Sequence, residues 1–85
     1  MNSSIADFVL TRCTPDAAAS TRVIDLLDEF QEWNDSFVDV FKIDEAIARR
    51  YPIVEAVTRG PKTQVRTYNG VKVADNDFYS GLRLT

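Results

Sequence analysis

The sequence predicts an α+β domain in which three helices precede a β-hairpin or a three-stranded meander. In the N-terminal part of the chain, apolar residues recur every three or four positions, as on one face of a helix. From Ile53 onward the apolar residues alternate and turn residues interrupt them, which is typical of strands. A length of 85 residues with 45% hydrophobic residues fits one folded domain.

The first helix is predicted from Ser4 to Cys13. Ser4 is a suitable N-terminal cap, Asp7 follows three residues later, and the apolar residues after it have helical spacing. Thr14-Pro15-Asp16 should end this helix, because proline disfavours helical backbone at the residue before it.

The second helix, Ser20–Trp33, has the strongest periodic pattern and should organise the core. Its acidic residues form the opposite stripe, which we interpret as a solvated face. We expect these apolar residues of the three helices to be buried together: Leu26, Phe30, Trp33, Phe8, Val40 and Ile47.

The third helix is predicted over Asp39–Tyr51, with Asp39 as its cap. Val40, Ile43 and Ile47 step by three and four residues, and Pro52 closes the helix.

Two strands, Ile53–Thr58 and Thr63–Tyr68, are predicted to pair as a hairpin around Arg59-Gly60-Pro61-Lys62. Asn69-Gly70 is a second strong turn signal before Val71, so a three-stranded meander remains open.

We assign residues 1–73 to the domain and residues 74–85 to a C-terminal extension. Tyr68–Val73 and Tyr79–Leu84 share one pattern: Tyr, a polar residue, Gly, an aliphatic residue, a basic residue and an aliphatic residue. The extension could therefore add a strand beside the hairpin, or it could be a frayed tail.

Charge is divided between the two parts of the chain. Residues 1–48 carry three basic and ten acidic residues, a net charge of −7, whereas residues 49–85 carry seven basic and three acidic residues, a net charge of +4. A basic half of this kind suggests a local face for a polyanion.

Catalysis is not expected from this composition. The chain has no histidine, Cys13 is its single cysteine, and none of its three glycines belongs to a phosphate-binding loop. We predict no enzyme activity, no cofactor and no metal. The N-terminal residues lack a secretion signal and the apolar runs are too short to span a bilayer, so we expect a cytoplasmic protein that does not enter membranes.

Three helices followed by a hairpin with basic residues at its tip is the order of a winged helix. The chain resembles the C-terminal winged-helix domain of phage and plasmid primase-helicases over roughly Ser4 to Val73. The matching residues are Phe8 and Cys13 in the first helix, Leu26, Phe30 and Trp33 in the second, Phe41 and Ile47 in the third, and Tyr68–Val73 as the terminal strand. We expect either an excised fragment of such a protein or a free-standing adaptor, and we assign no helicase activity.

The predicted function is nucleic-acid binding, with DNA preferred, linked to phage or plasmid replication; a replication protein is the other candidate partner. The third helix should approach a groove while the hairpin tip contacts the adjacent backbone. The predicted contact residues are Lys42, Arg49, Arg50, Arg59, Lys62, Arg66 and Lys72. Asp44 and Glu45 oppose this function, because they would repel phosphate. The alternative is a protein-interaction adaptor or inhibitor that uses its acidic helical face.

Overall fold

The computed structural model describes residues 5–35 and 38–85. Within these ranges the chain is a small α+β domain with three helices and two antiparallel sheets. The helices are α1 (Ile5–Arg12), α2 (Val23–Asn34) and α3 (Val40–Arg50). The strands are β1 (Cys13–Arg22), β2 (Glu55–Thr58), β3 (Val65–Tyr68), β4 (Val71–Ala74) and β5 (Asp77–Leu84). None of the helices in these ranges is long and apolar enough to cross a membrane.

All three predicted helices are present, with small differences at their ends. The predicted cap Ser4 lies outside the described residues. Asp39 caps α3 as predicted, and its carboxylate accepts a hydrogen bond from the backbone N–H of Lys42 at 3.2 Å. Helix α2 begins at Val23 rather than at Ser20, because Ser20 and Thr21 belong to β1. The Thr21 hydroxyl donates to the carbonyl of Leu82 at 2.9 Å and so links this part of β1 to β5.

The core forms where the helices pack on the sheet, and it is centred on aromatic residues. The ring of Phe8 meets that of Phe30 edge to face, with 5.1 Å between the centroids. The predicted core residues are buried, except that Trp33 is only partly buried at the edge of the cluster. Its ring still contacts Phe8, at 5.4 Å between centroids. The helical register predicted from the spacing is therefore confirmed.

Strand β1 was not predicted. It follows α1 directly, and its pairing with β5 is irregular between Pro15 and Ser20. In this irregular part the carboxylate of Asp16 accepts the backbone N–H of Ala18 at 3.0 Å. Proline and the alanine run have low strand propensity and show no alternation, so the local sequence does not indicate a strand.

The C-terminal segment supplies the centre of the main sheet, whose strand order is β1-β5-β2. Tyr79 lies between Thr21 of β1 and Ala56 of β2. Tyr79 and Leu82 are buried in the core. The segment that we expected to be an extension is thus a strand, and both of its neighbours depend on it for their pairing.

The predicted pairing of Ile53–Thr58 with Thr63–Tyr68 is wrong, and so is the meander built on it. Strand β2 pairs with β5, while β3 pairs with β4 in a separate hairpin. The turn of that hairpin is Asn69-Gly70, where both residues have positive φ, 50° and 87°. This backbone is the one that a two-residue hairpin turn needs, and Asn-Gly favours it.

Candidate nucleic-acid interface

Helix α3 presents an exposed face that we name the α3 crest, because its buried residues all lie on the other side. Val40, Ile43 and Ile47 are buried. The crest consists of Phe41, Lys42, Glu45, Ala48 and Arg49, which share one side at helical spacing and are all exposed. Phe41 is 69% exposed, which is unusual for a large aromatic side chain.

A groove of about 240 Å³ runs beside the crest, and we name it the α3–β4 groove. Phe41 lines it from α3, Val57 from β2 and Lys72 from β4. An exposed aromatic ring and a lysine are thus brought to the walls of one groove, although they are far apart in sequence.

Asp44 also lines this groove, but it has a partner within the protein. The hydroxyl of Tyr79 donates a hydrogen bond to its carboxylate. Burial raises the pKa of Asp44 above its ordinary value, and the Tyr79 hydrogen bond opposes that shift. Burial, and then the neighbouring Asp44, raise the pKa of Tyr79, so this residue stays a hydrogen-bond donor at neutral pH.

The other acidic residue that opposes phosphate binding is Glu45, which forms an ion pair with Arg49 at 3.2 Å. Arg50 lies over the ring of Tyr51, with 5.4 Å from its guanidinium carbon to the ring centroid. Both predicted arginines at the end of α3 are exposed.

Arg59 and Lys62 belong to the loop after β2, which we name the basic loop (residues 59–62). The side-chain amide of Asn76 donates to the carbonyls of Arg59 at 2.7 Å and Pro61 at 2.6 Å, so the loop is fastened to the turn between β4 and β5. The guanidinium of Arg59 stacks over Phe78 at 4.5 Å. Arg59 therefore has a packing role as well as a charge.

Arg66, another predicted contact residue, binds α2 instead of pointing to the basic loop. Its guanidinium donates to the carboxylate of Asp28 at 2.7 Å and to the hydroxyl of Tyr68 at 3.1 Å. The Tyr68 hydroxyl donates to the same carboxylate at 2.8 Å. The β3–β4 hairpin is thereby held against α2, and Tyr68 itself is buried.

Ion pairs are concentrated on the acidic helix. Within residues 5–35 and 38–85, three of the four ion pairs involve acidic residues of α2: Arg12–Glu29, Arg22–Asp25 and Arg66–Asp28. Over the same ranges Lys42, Lys62 and Lys72 form no ion pair. Most ion pairs thus lie on α2, whereas the three lysines without an ion pair lie near α3 and the basic loop.

The basic residues of the site were predicted from the sequence, but Phe41 was not predicted as a surface residue. Phe41 directly follows Val40 and so falls outside the buried stripe of α3, which the helical period could have indicated. Cys13 is buried, and burial raises the pKa of its thiol to about 11. Among the described residues, no cluster of three or more Cys, Asp or Glu side chains could hold a metal ion.

Comparison of the chain with protein-family models, curated proteins and solved structures finds no match.

Proposed function

We propose that this chain is a winged-helix module that binds nucleic acid, with DNA preferred, in phage or plasmid replication. The element order supports the proposal. A helix and a strand, α1 and β1, precede two further helices, and β1 later joins β5 and β2 in a three-stranded sheet of order β1-β5-β2. We propose that this order is that of a winged helix whose wing is formed by β2 and β5, with the β3–β4 hairpin as an insertion between them.

In this proposal, the resemblance to primase-helicase domains is changed at one point, the position of the terminal strand. The family's terminal strand pattern occurs twice, and the second copy, Tyr79–Leu84, is the one that pairs with β1 and β2. We therefore assign the terminal strand to Tyr79–Leu84 rather than to Tyr68–Val73.

The observation that carries the binding proposal is the α3 crest with unpaired lysines around it. Lys42 lies on the crest, Lys72 lines the adjacent groove, and Lys62 extends from the basic loop. We infer that the crest enters a groove of the duplex while Lys62 and Lys72 contact phosphates. Glu45 opposes phosphate less than its sequence position suggests, because it is paired with Arg49. Asp44 still opposes phosphate, because its partner, the Tyr79 hydroxyl, carries no charge.

The alternative, an adaptor or inhibitor that acts through the acidic face of α2, has less support. Asp25, Asp28 and Glu29 are each held by an arginine of the same chain, which reduces the charge available to a basic partner. We include a cytoplasmic location and the absence of catalysis in the proposal.

The test is fluorescence anisotropy with short duplex and single-stranded oligonucleotides at several salt concentrations. We expect affinity to fall linearly with salt on a logarithmic plot. Lys62→Gln and Lys72→Gln should each flatten that slope by about one unit, since each removes one phosphate contact. These lysines suit the test better than Arg59 or Arg66, whose side chains also hold the fold together.

Arg83→Gln is the matched control, because it removes one exposed positive charge from β5 that belongs to neither the α3 crest nor the basic loop. It should leave the slope unchanged. A wild-type protein without salt-sensitive binding to any of these nucleic acids would refute the proposed function.

A further inference from the structure

A second groove lies on the other flank of α3, between this helix and α1. Its volume is about 310 Å³, and its floor is apolar. Ile5, Val9 and Leu10 line it from α1, and Ala46 lines it from α3. Leu10 is 53% exposed although it lies on a short helix that is otherwise anchored in the core by Phe8 and Val9. We name this feature the α1–α3 groove.

Positive charge surrounds the apolar floor. Lys42, Arg49 and Arg50 line the groove from α3, while Glu45 is the one acidic residue among its described lining and is already paired with Arg49. A ligand that covered Leu10 would therefore meet one ion pair, Arg49–Glu45, and two further cations, Lys42 and Arg50. A ligand with an apolar stripe and acidic flanks complements both properties.

We propose that the α1–α3 groove binds an acidic amphipathic helix of a partner protein. Two packed helices form a trough, and a third helix fills such a trough with apolar residues at positions i, i+3 or i+4, and i+7. Helix α3 spans 11 residues, about 16 Å, which matches about three turns of a bound helix. Glutamate or aspartate on the flanks of that helix would pair with the arginines at the rim.

A second copy of this chain does not fit the groove through its acidic helix. The exposed residues of α2 are polar: Arg22 precedes it, and Asp25, Asp28, Gln31 and Glu32 follow along its surface. That surface has acidic charge but no apolar side chain to cover Leu10. A nucleic acid would satisfy the cations but would leave the apolar floor uncovered.

The test is a selection from a displayed library of amphipathic helical peptides of roughly 14 residues, made with the full chain and in parallel with the Leu10→Ser variant. We expect the wild-type selection to enrich apolar residues at i, i+3 or i+4, and i+7, with Asp and Glu on the flanks. For a recovered peptide, Leu10→Ser should weaken binding about tenfold, which corresponds to about 1.4 kcal/mol. Arg50→Gln, made separately, should also weaken peptide binding and should reduce the salt sensitivity of that binding.

Val65→Ser is the control, because it removes an apolar side chain of similar exposure from β3, which does not line the groove. It should leave peptide binding unchanged. The proposal is overturned if no peptide is enriched or if Leu10→Ser enriches the same peptides. Nucleic-acid binding should survive Leu10→Ser, so failure of this proposal can be distinguished from failure of the proposed function.

Discussion

Phe30 and Trp33 lie three residues apart on α2 but differ in how completely the core covers them. Phe30 is 2% exposed and packs edge to face on Phe8, whereas Trp33 is only partly buried. Truncation of a buried Phe or Trp costs about 3–5 kcal/mol. We expect Phe30→Ala to lower the free energy of unfolding by an amount within that range, and Trp33→Ala to lower it by less.

Circular dichroism during urea unfolding is the suitable measurement, because Trp33 is the single tryptophan and its loss removes the fluorescence signal. A domain of this size can lose its cooperative transition after Phe30→Ala. Phe30→Leu then provides a measurable variant of smaller cost. Unchanged stability in Trp33→Ala would contradict its placement against Phe8.

Asp44 should make the stability of the protein depend on pH in a particular direction. Its native pKa is raised above the ordinary 3.8, mainly by burial, so the native protein binds a proton more readily than the unfolded chain does. The stability contributed by Asp44 is therefore present below pH 3.8 and is lost as the pH rises through the native pKa.

Replacement of Asp44 with Asn removes this effect while keeping an oxygen that can accept from Tyr79. We expect the stability of Asp44→Asn relative to wild type to increase as the pH is raised from about 4 towards neutrality. Denaturant unfolding at a series of pH values measures it. Tyr79→Phe should extend the loss of stability to higher pH, since the hydroxyl lowers the pKa of Asp44. A stability of Asp44→Asn relative to wild type that falls with rising pH would contradict the assignment.

At the scale of elements, the β3–β4 hairpin depends on α2 for its position. Tyr68 provides both a buried ring and a hydroxyl that donates to Asp28, while Arg66 adds a largely exposed ion pair to the same carboxylate. An exposed ion pair contributes about 0–1 kcal/mol. A hydrogen bond to a charged group contributes about 1.5–3 kcal/mol, less where solvent reaches it.

Tyr68→Phe should therefore destabilise the protein by about 1 kcal/mol and at least as much as Arg66→Gln does. Lys72→Gln on the same hairpin is the control and should leave stability unchanged, because Lys72 is exposed and forms no ion pair within the described residues. Denaturant unfolding compares the three variants. A larger cost for Arg66→Gln than for Tyr68→Phe would mean that the ion pair, and not Tyr68, holds the hairpin.

At the scale of the whole molecule, β5 joins the first and last parts of the chain. Both β1 and β2 pair only with β5 among the described strands, and Tyr79 and Leu82 contribute to the core. A chain that ends at Asn76 would lose these contacts at once. We expect it to have no cooperative thermal transition, because two strands lose their partner and two core side chains are removed.

The control chain ends at Leu84 and lacks only Thr85, so it keeps all of β5. Circular dichroism during heating measures both chains, and the control should unfold cooperatively. A cooperative transition in the chain that ends at Asn76 would instead support a domain boundary near residue 73.

The basic residues of the candidate site could be predicted from the sequence, but their contacts and neighbours in space could not. The basic residues were evident from the charge of residues 49–85. Which of them have partners within the protein depended on residues distant in sequence: Asp28 binds Arg66, and Phe78 lies under Arg59. Such partners lie 38 and 19 positions away, beyond the reach of any local pattern.

The sequence by itself determined the three helices, the cap at Asp39 and the turn at Asn69-Gly70, because each depends on neighbours within about one turn of backbone. Only the tertiary structure decided the strand partners. Tyr68–Val73 and Tyr79–Leu84 have the same residue pattern, yet one spans a hairpin and the other is the central strand of the main sheet. Strand pairing joins residues that are remote in sequence, so similar local propensities are compatible with either position in the fold. Burial of Tyr79 and Leu82 beneath the helices places the second copy at the centre of the main sheet.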